Sequence, residues 1–209
     1  MRKFLSNTLL YKALKKLCIF LLHWISVIKI KLSLTKASRL NLGSGPLKSL
    51  NDLTNVDFYG SDINLDLTKK LPFKDESIEY IYSSHFLEHL DYKNIIKVLK
   101  ECNRVLKKDS QLSICVPNFK LYLEAYSNSK VFKSYETMHP GGAVNTNSKI
   151  DQLNYIAYLG GDHQYMFDEE NLINMLKQAG FIDPCLREYD EKVDKYGRDY
   201  ESLYALAKK

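Results

Sequence analysis

Short runs rich in β-branched and aromatic residues alternate along this chain with longer stretches whose apolar residues recur at helical spacing, which leaves few architectures open. Residues 39–42, 55–58, 62–67, 78–83 and 111–116 read as five successive strands, with residues 181–187 and 202–207 as candidates for the last two. Between the fourth and fifth, Ile95, Ile96, Leu99, Cys102, Val105 and Leu106 repeat as one helical face, with Asp91 placed to cap the helix start. Residues 107–110 read as the turn that follows. Leu172, Ile173, Leu176 and Ala179 form a second such face behind Asp168, and Gly180 stands where a left-handed stop is wanted. Strands that alternate with helices point to an α/β fold, a mostly parallel sheet with helices on both faces. At 209 residues and 45% hydrophobic content, the chain is long and apolar enough to bury one core.

Charge divides the chain. The first 39 residues hold nine Lys and Arg and no acidic residue, which leaves 21 basic against 25 acidic side chains in the remaining 170. The basic character therefore belongs to an N-terminal helical segment, residues 1–38, and the domain at 39–209 is mildly acidic. An acidic body argues against a nucleic-acid substrate, because phosphate neutralisation supplies most of that affinity. Between Lys16 and Lys29 lie twelve uncharged residues. As a helix they span about 18 Å, too short for a bilayer core of about 30 Å, so a transmembrane helix is not expected. Nor does a cleavage site of the secretory kind follow. Two readings stay open for residues 1–34: a helix packed on the domain, or a peripheral anchor. In the second, Leu17, Phe20, Leu21, Trp24 and Ile28 face an anionic membrane.

In open α/β sheets ligands sit outside the carboxyl ends of the strands, and here those ends carry the chemistry. The first strand ends in Gly43-Ser44-Gly45, where a backbone without Cβ atoms admits a ligand closely. The second ends in Asp57, a carboxylate suited to both hydroxyls of a ribose. The third ends in Asp66-Leu67, suited to an adenine amino group. The fourth ends in Ser83-Ser84-His85, opening the pocket floor towards an acceptor.

Taken in order, these pieces resemble the class I methyltransferases of the methyltransferase type 11 group. The resemblance runs through Leu40-Asn41-Leu42-Gly43-Ser44-Gly45-Pro46, Asn55-Val56-Asp57 and Asp66-Leu67 with Leu71-Pro72-Phe73. It continues through Ser84-His85-Phe86-Leu87-Glu88-His89-Leu90, Arg104-Val105-Leu106-Lys107 and Val116-Pro117, and ends in residues 163–181. It covers roughly residues 39–207 and implies a Rossmann-like methyltransferase fold with S-adenosylmethionine as cofactor. It also implies cofactor contacts from Gly43, Ser44, Gly45, Asp57, Asp66, Leu67 and Ser83. Two departures stand out. Leu47 replaces the third glycine of the fuller loop pattern, and only nine residues separate the loop from the second strand, so the first crossover is reduced. A dinucleotide would want a full helix N-terminus under its pyrophosphate; S-adenosylmethionine has no phosphate and loses less.

The acceptor is expected to be a small molecule or a glycan. O-methylation of a glycan or lipid-linked sugar at the inner membrane face of the cytoplasm makes sense of the basic helix, with His85 or His163 as general base. A small hydrophobic metabolite such as a quinone, or an inactive membrane-associated binding module, are the alternatives. His139 and Tyr122, Tyr126, Tyr155, Tyr158 and Tyr165 are further candidates for an acceptor site near an insertion at about 118–160. His85-Phe86-Leu87-Glu88-His89 literally spells H-x-x-E-H, a zinc-protease pattern. That chemistry needs both histidines on one helical face and a third ligand; the motif starts at a strand end, so no metal is expected. Cys18, Cys102, Cys115 and Cys185 are widely spaced and read as buried reduced thiols.

Overall fold

The computed structural model describes residues 9–32, 34, 37–45, 52–128, 145, 146, 148–197 and 199–209. His139 and the first crossover at 46–51 lie outside the described residues. The strands are β1 (Arg39–Leu42), β2 (Thr54–Asp57), β3 (Ile63–Asn64), β4 (Ile78–Ser84), β5 (Leu106–Pro117), β6 (Ile182–Arg187) and β7 (Ser202–Lys208). They form one sheet in the order β3-β2-β1-β4-β5-β7-β6. All neighbours run parallel except β7, which is antiparallel to β5 and β6. The helices are α1 (Leu9–Lys31), α2 (Tyr92–Val105), α3 (Phe119–Ser127), α4 (Ile150–Tyr158) and α5 (Glu169–Gln178). Strand order reverses between β1 and β4, so the crevice in which such sheets bind ligands opens where Gly43 and His85 leave those strands.

Local sequence explains the helix ends. The Asp91 carboxylate accepts from Asn94 N at 2.8 Å at the start of α2. Asp168 and Asn171 form a reciprocal capping box on α5, and Gly180 closes that helix at φ +92°.

Side chains alternate across a sheet, and the register sorts them into two unlike faces. Leu40, Leu42, Val56, Ile81, Leu112, Ile114, Ala205 and Ala207 share one face and form a single core with Ile95, Leu99, Cys102 of α2 and Leu172, Leu176 of α5. The opposite face carries Asn41, Asn55, Tyr80, Tyr82, Ser113 and Arg187, and it is polar. Asn41 donates to Asn55 at 3.0 Å. Arg187 donates to Ser113 and forms a bidentate pair with Asp194, to which Tyr82 also donates. The segment after β6 thus covers this face through hydrogen bonds. A tyrosine- and arginine-bearing face needs hydrogen-bond partners rather than a greasy helix stripe.

Helix α1 lies against the β3 edge. The outward N–H of Asn64 donates to Ser26 Oγ at 3.0 Å, and Val27 and Ile30 pack on the core. That covers an edge strand that would otherwise offer unpaired backbone. It also accounts for the short β3: residues 62–67 were expected as a strand, yet only Ile63–Asn64 pair. Asp62 instead accepts from Asn55 N with its side chain. Residues 107–110, read as a turn, run on as part of β5. Their turn chemistry survives as a bulge: pairing jumps from Ile78↔Leu106 to Tyr80↔Gln111, with Asp109 at φ +62°. Of the cysteines expected to be buried, Cys102 and Cys115 are, whereas Cys18 and Cys185 sit on the surface.

Candidate active site

The crevice beside β1 and β4 is built from strand ends. Gly43 and Gly45 adopt φ +69° and +65°, a conformation that side chains resist. The two glycines serve different purposes. A Cβ on Gly45 would meet no atom of the described residues within 4 Å, so among them this backbone faces open space. A Cβ on Gly43 would collide with the ring of Phe86, which packs directly on the loop. Ser44, between them, donates to Gly45 O and shares a hydroxyl contact with Ser61 at 3.1 Å.

Asp57 ties the loop to β2. Its Oδ2 accepts from Gly45 N at 2.8 Å and its Oδ1 from Phe58 N at 2.6 Å. A carboxylate offers about four acceptor positions, so each oxygen retains one for a hydroxyl pair such as the ribose diol of a nucleoside. The left-handed loop, the open ground at Gly45 and the half-satisfied Asp57 fit an S-adenosyl group. At Asp66, one oxygen accepts from both the N–H and the hydroxyl of Thr68, at 3.0 and 2.6 Å, which shapes the turn that buries Leu67 in the core. Ser83 is buried, and its hydroxyl donates to Leu42 O at 3.2 Å, clamping β4 to β1. Its side chain is thereby committed to the sheet.

Beyond Ser84 the chain kinks at His85, a non-glycine residue at φ +49°. Its Nε2 lies 2.8 Å from Ser202 Oγ at the start of β7, and its Nδ1 lies 3.6 Å from Glu88 Oε1. Strain of this kind persists only where surrounding structure over-determines it. A 3-10 turn, Leu87–His89, follows. Against it docks the segment leading into α5: Gln164 N and Tyr165 N donate to Glu88 O, and Gln164 Nε2 donates to His89 O. This docking brings His163 beside His89, with ring centroids 5.0 Å apart and edge-on. His163 is partly buried, and that burial, with His89 alongside, lowers its pKa against the opposing bond to Ile156 O. Glu88 is 1% exposed at the centre of the group.

The two predicted histidines, His85 and His163, therefore flank one buried carboxylate, Glu88. The H-x-x-E-H spacing was the signal available, although its two histidines do not share a helical face. The candidate tyrosines disperse: Tyr122 is buried and donates to Glu201 at 3.0 Å, Tyr165 stacks between Tyr92 and Phe167, and Tyr126 and Tyr158 are exposed. A separate cleft lined by Arg39, Tyr80, Gln111 and Arg187 opens on the polar face near the start of β1 and β4. Lying away from the carboxyl ends, it is not the cofactor crevice.

Comparison with known proteins bears on this site. Residues 25–114 match the family described as methyltransferase domain, a match that begins inside α1. Among solved structures, a SAM-dependent methyltransferase from Archaeoglobus fulgidus superposes with a TM-score of 0.50 at 15% identity, covering 90% of this chain and 94% of that one. Phosphoethanolamine N-methyltransferase 2 from Haemonchus contortus, solved with S-adenosylhomocysteine, gives 0.51 at 13% identity over 89% of this chain and 53% of its own. At such identities the likeness is one of fold. No curated protein matches the chain in sequence. Residues 25–114 thus resemble a methyltransferase domain in sequence, and the sheet that carries them has the fold of SAM-dependent methyltransferases of known structure.

Proposed function

We propose that this chain is an S-adenosylmethionine-dependent methyltransferase that acts on a hydroxyl of a glycan or lipid-linked sugar held at an anionic membrane surface. The observation that carries this reading is the division of α1 into two faces. On one, Ser26, Val27 and Ile30 fasten the helix to the domain, and His23 bonds Phe58 O at 2.8 Å, next to Asp57. On the other, Leu14, Leu17, Leu21, Trp24, Ile25 and Ile28 face solvent, Trp24 being 54% exposed. A contiguous apolar stripe of this length marks an interaction surface. Lysines at 12, 15, 16, 29 and 31 accompany it without one acidic residue in the helix, which favours an anionic lipid surface. Among the described residues, no helix is long and apolar enough to cross a membrane, so the stripe would lie in the interface.

In this reading Asp57 would accept the ribose hydroxyls, Gly43, Ser44 and Gly45 would make room for the methionine portion, and Asp66 with Leu67 would border the adenine. Ser83 would hold the floor between β1 and β4. Bound cofactor supplies a methyl group already activated on a sulfonium, so the protein's part is alignment of the acceptor. His85, oriented by Ser202, would take the proton of the acceptor hydroxyl.

The test is methyl transfer from radiolabelled S-adenosylmethionine to a lipid-linked oligosaccharide fraction in phosphatidylglycerol vesicles. Label in a base-stable ether, reduced by Leu17→Glu/Trp24→Glu, is the expected result. Label on nitrogen, or on a quinone fraction only, overturns the proposal.

A further inference from the structure

We propose that Glu88, His89 and His163 form a site for one divalent metal ion beside the acceptor pocket. The inference rests on the O-methylation reading for its purpose, though not for its geometry. The carboxylate oxygen of Glu88 and a ring nitrogen from each histidine all lie within 4.8 Å of one another. Glu88 Oε1 is 3.9 Å from His89 Nε2. Small side-chain rotations would bring such a set to the ~2.0–2.2 Å at which imidazole and carboxylate bind transition metals.

The second coordination sphere supports this most strongly. His89 Nδ1 lies 3.0 Å from Asp162 O, and His163 Nδ1 lies 2.7 Å from Ile156 O. A backbone carbonyl only accepts, so each Nδ1 carries a proton in these contacts, which leaves Nε2 as the ligand atom of each ring. Metal-binding histidines are characteristically held by such a bond from the other ring nitrogen. A buried carboxylate completes the set. Two histidines and one carboxylate suit Mn²⁺, Fe²⁺, Co²⁺ or Zn²⁺ and leave coordination positions open.

The position assigns the ion a task. Phe86 packs on Gly43, and the Leu87–His89 turn follows directly, so the cluster adjoins the cofactor loop. An ion there polarises a hydroxyl or vicinal diol of a sugar and lowers the pKa of the reacting O–H. The acceptor oxygen loses its proton, finally to water, and forms a bond to the methyl carbon. The carbon–sulfur bond breaks with its electron pair going to sulfur, which yields a methyl ether, S-adenosylhomocysteine and one proton. This assigns His163 a ligand's part and leaves His85 as base.

The experiment is titration of chelator-treated full chain with Co²⁺, read by its visible ligand-field absorption, beside calorimetric titration with S-adenosylhomocysteine. One equivalent of Co²⁺ should bind. His163→Gln and, independently, Glu88→Gln should each weaken it at least tenfold while S-adenosylhomocysteine affinity stays within about twofold, which reports that the variants fold. Absence of Co²⁺ binding by a wild-type chain that binds S-adenosylhomocysteine overturns the metal site alone, as does binding indifferent to both substitutions. Loss of S-adenosylhomocysteine binding by the wild-type chain would instead count against the cofactor crevice, leaving the two failures distinct.

Discussion

Substituting alanine at Gly43 and at Gly45 separates two roles that look identical in sequence. Both glycines are left-handed, at φ +69° and +65°. A side chain in that region costs about 1–2 kcal/mol. At Gly45 no atom of the described residues lies within 4 Å of the new Cβ, so strain is the main expected penalty. At Gly43 the methyl would enter the Phe86 ring, adding the ~1–3 kcal/mol of an overpacked contact. The total for Gly43→Ala is then about 2–5 kcal/mol. With ~2–4 °C per kcal/mol in a domain of this size, Gly45→Ala should lower Tm by ~2–8 °C and Gly43→Ala by ~4–20 °C. Thermal unfolding followed by circular dichroism gives both numbers. A companion titration with S-adenosylhomocysteine should show Gly45→Ala weakening binding out of proportion to its mild effect on stability, because the added methyl points into the crevice. Equal stability losses for the two variants would refute the assignment of Phe86 as the lid on Gly43.

Burial holds the thiols of Cys102 and Cys115 up at about 12 and about 11, while Cys18 and Cys185 are exposed. At pH 8 an alkylating reagent should therefore modify two cysteines quickly and the other two only on unfolding, as counted by mass spectrometry. Glu101 carries a linkage of definite sign. Burial opposes its ionisation, but the Arg104 guanidinium at 2.7 Å and the Leu71 N–H bond outweigh it and lower the pKa below 4.5. The unfolded chain binds that proton more readily, so the contribution is complete above pH 4.5 and is lost as pH falls through the lower folded value. Urea midpoints between pH 7 and pH 3 should fall less steeply for Glu101→Gln than for the wild type.

What could be read directly from the chain was what local backbone chemistry and periodicity decide. Asp91, Asp168 and Gly180 mark helix ends because a cap involves neighbours within a few residues. The glycine loop, Asp57 and Asp66 stood out as candidates because ligands meet a parallel sheet at strand ends, and strand ends are legible from pattern. Three matters needed the tertiary structure. The polarity of one sheet face depends on register across five strands, from Asn41 to Arg187, and no single strand shows it. The choice of which α1 residues pack and which stay exposed depends on where the β3 edge lies, since the helix is apolar on more than one side. Finally, His163 stands 74 residues beyond His89 in sequence. Only the docking of its segment on the Glu88 carbonyl brings the two rings to one carboxylate. Contacts of that separation arise from loop closure and packing, which leave no periodic trace in the sequence.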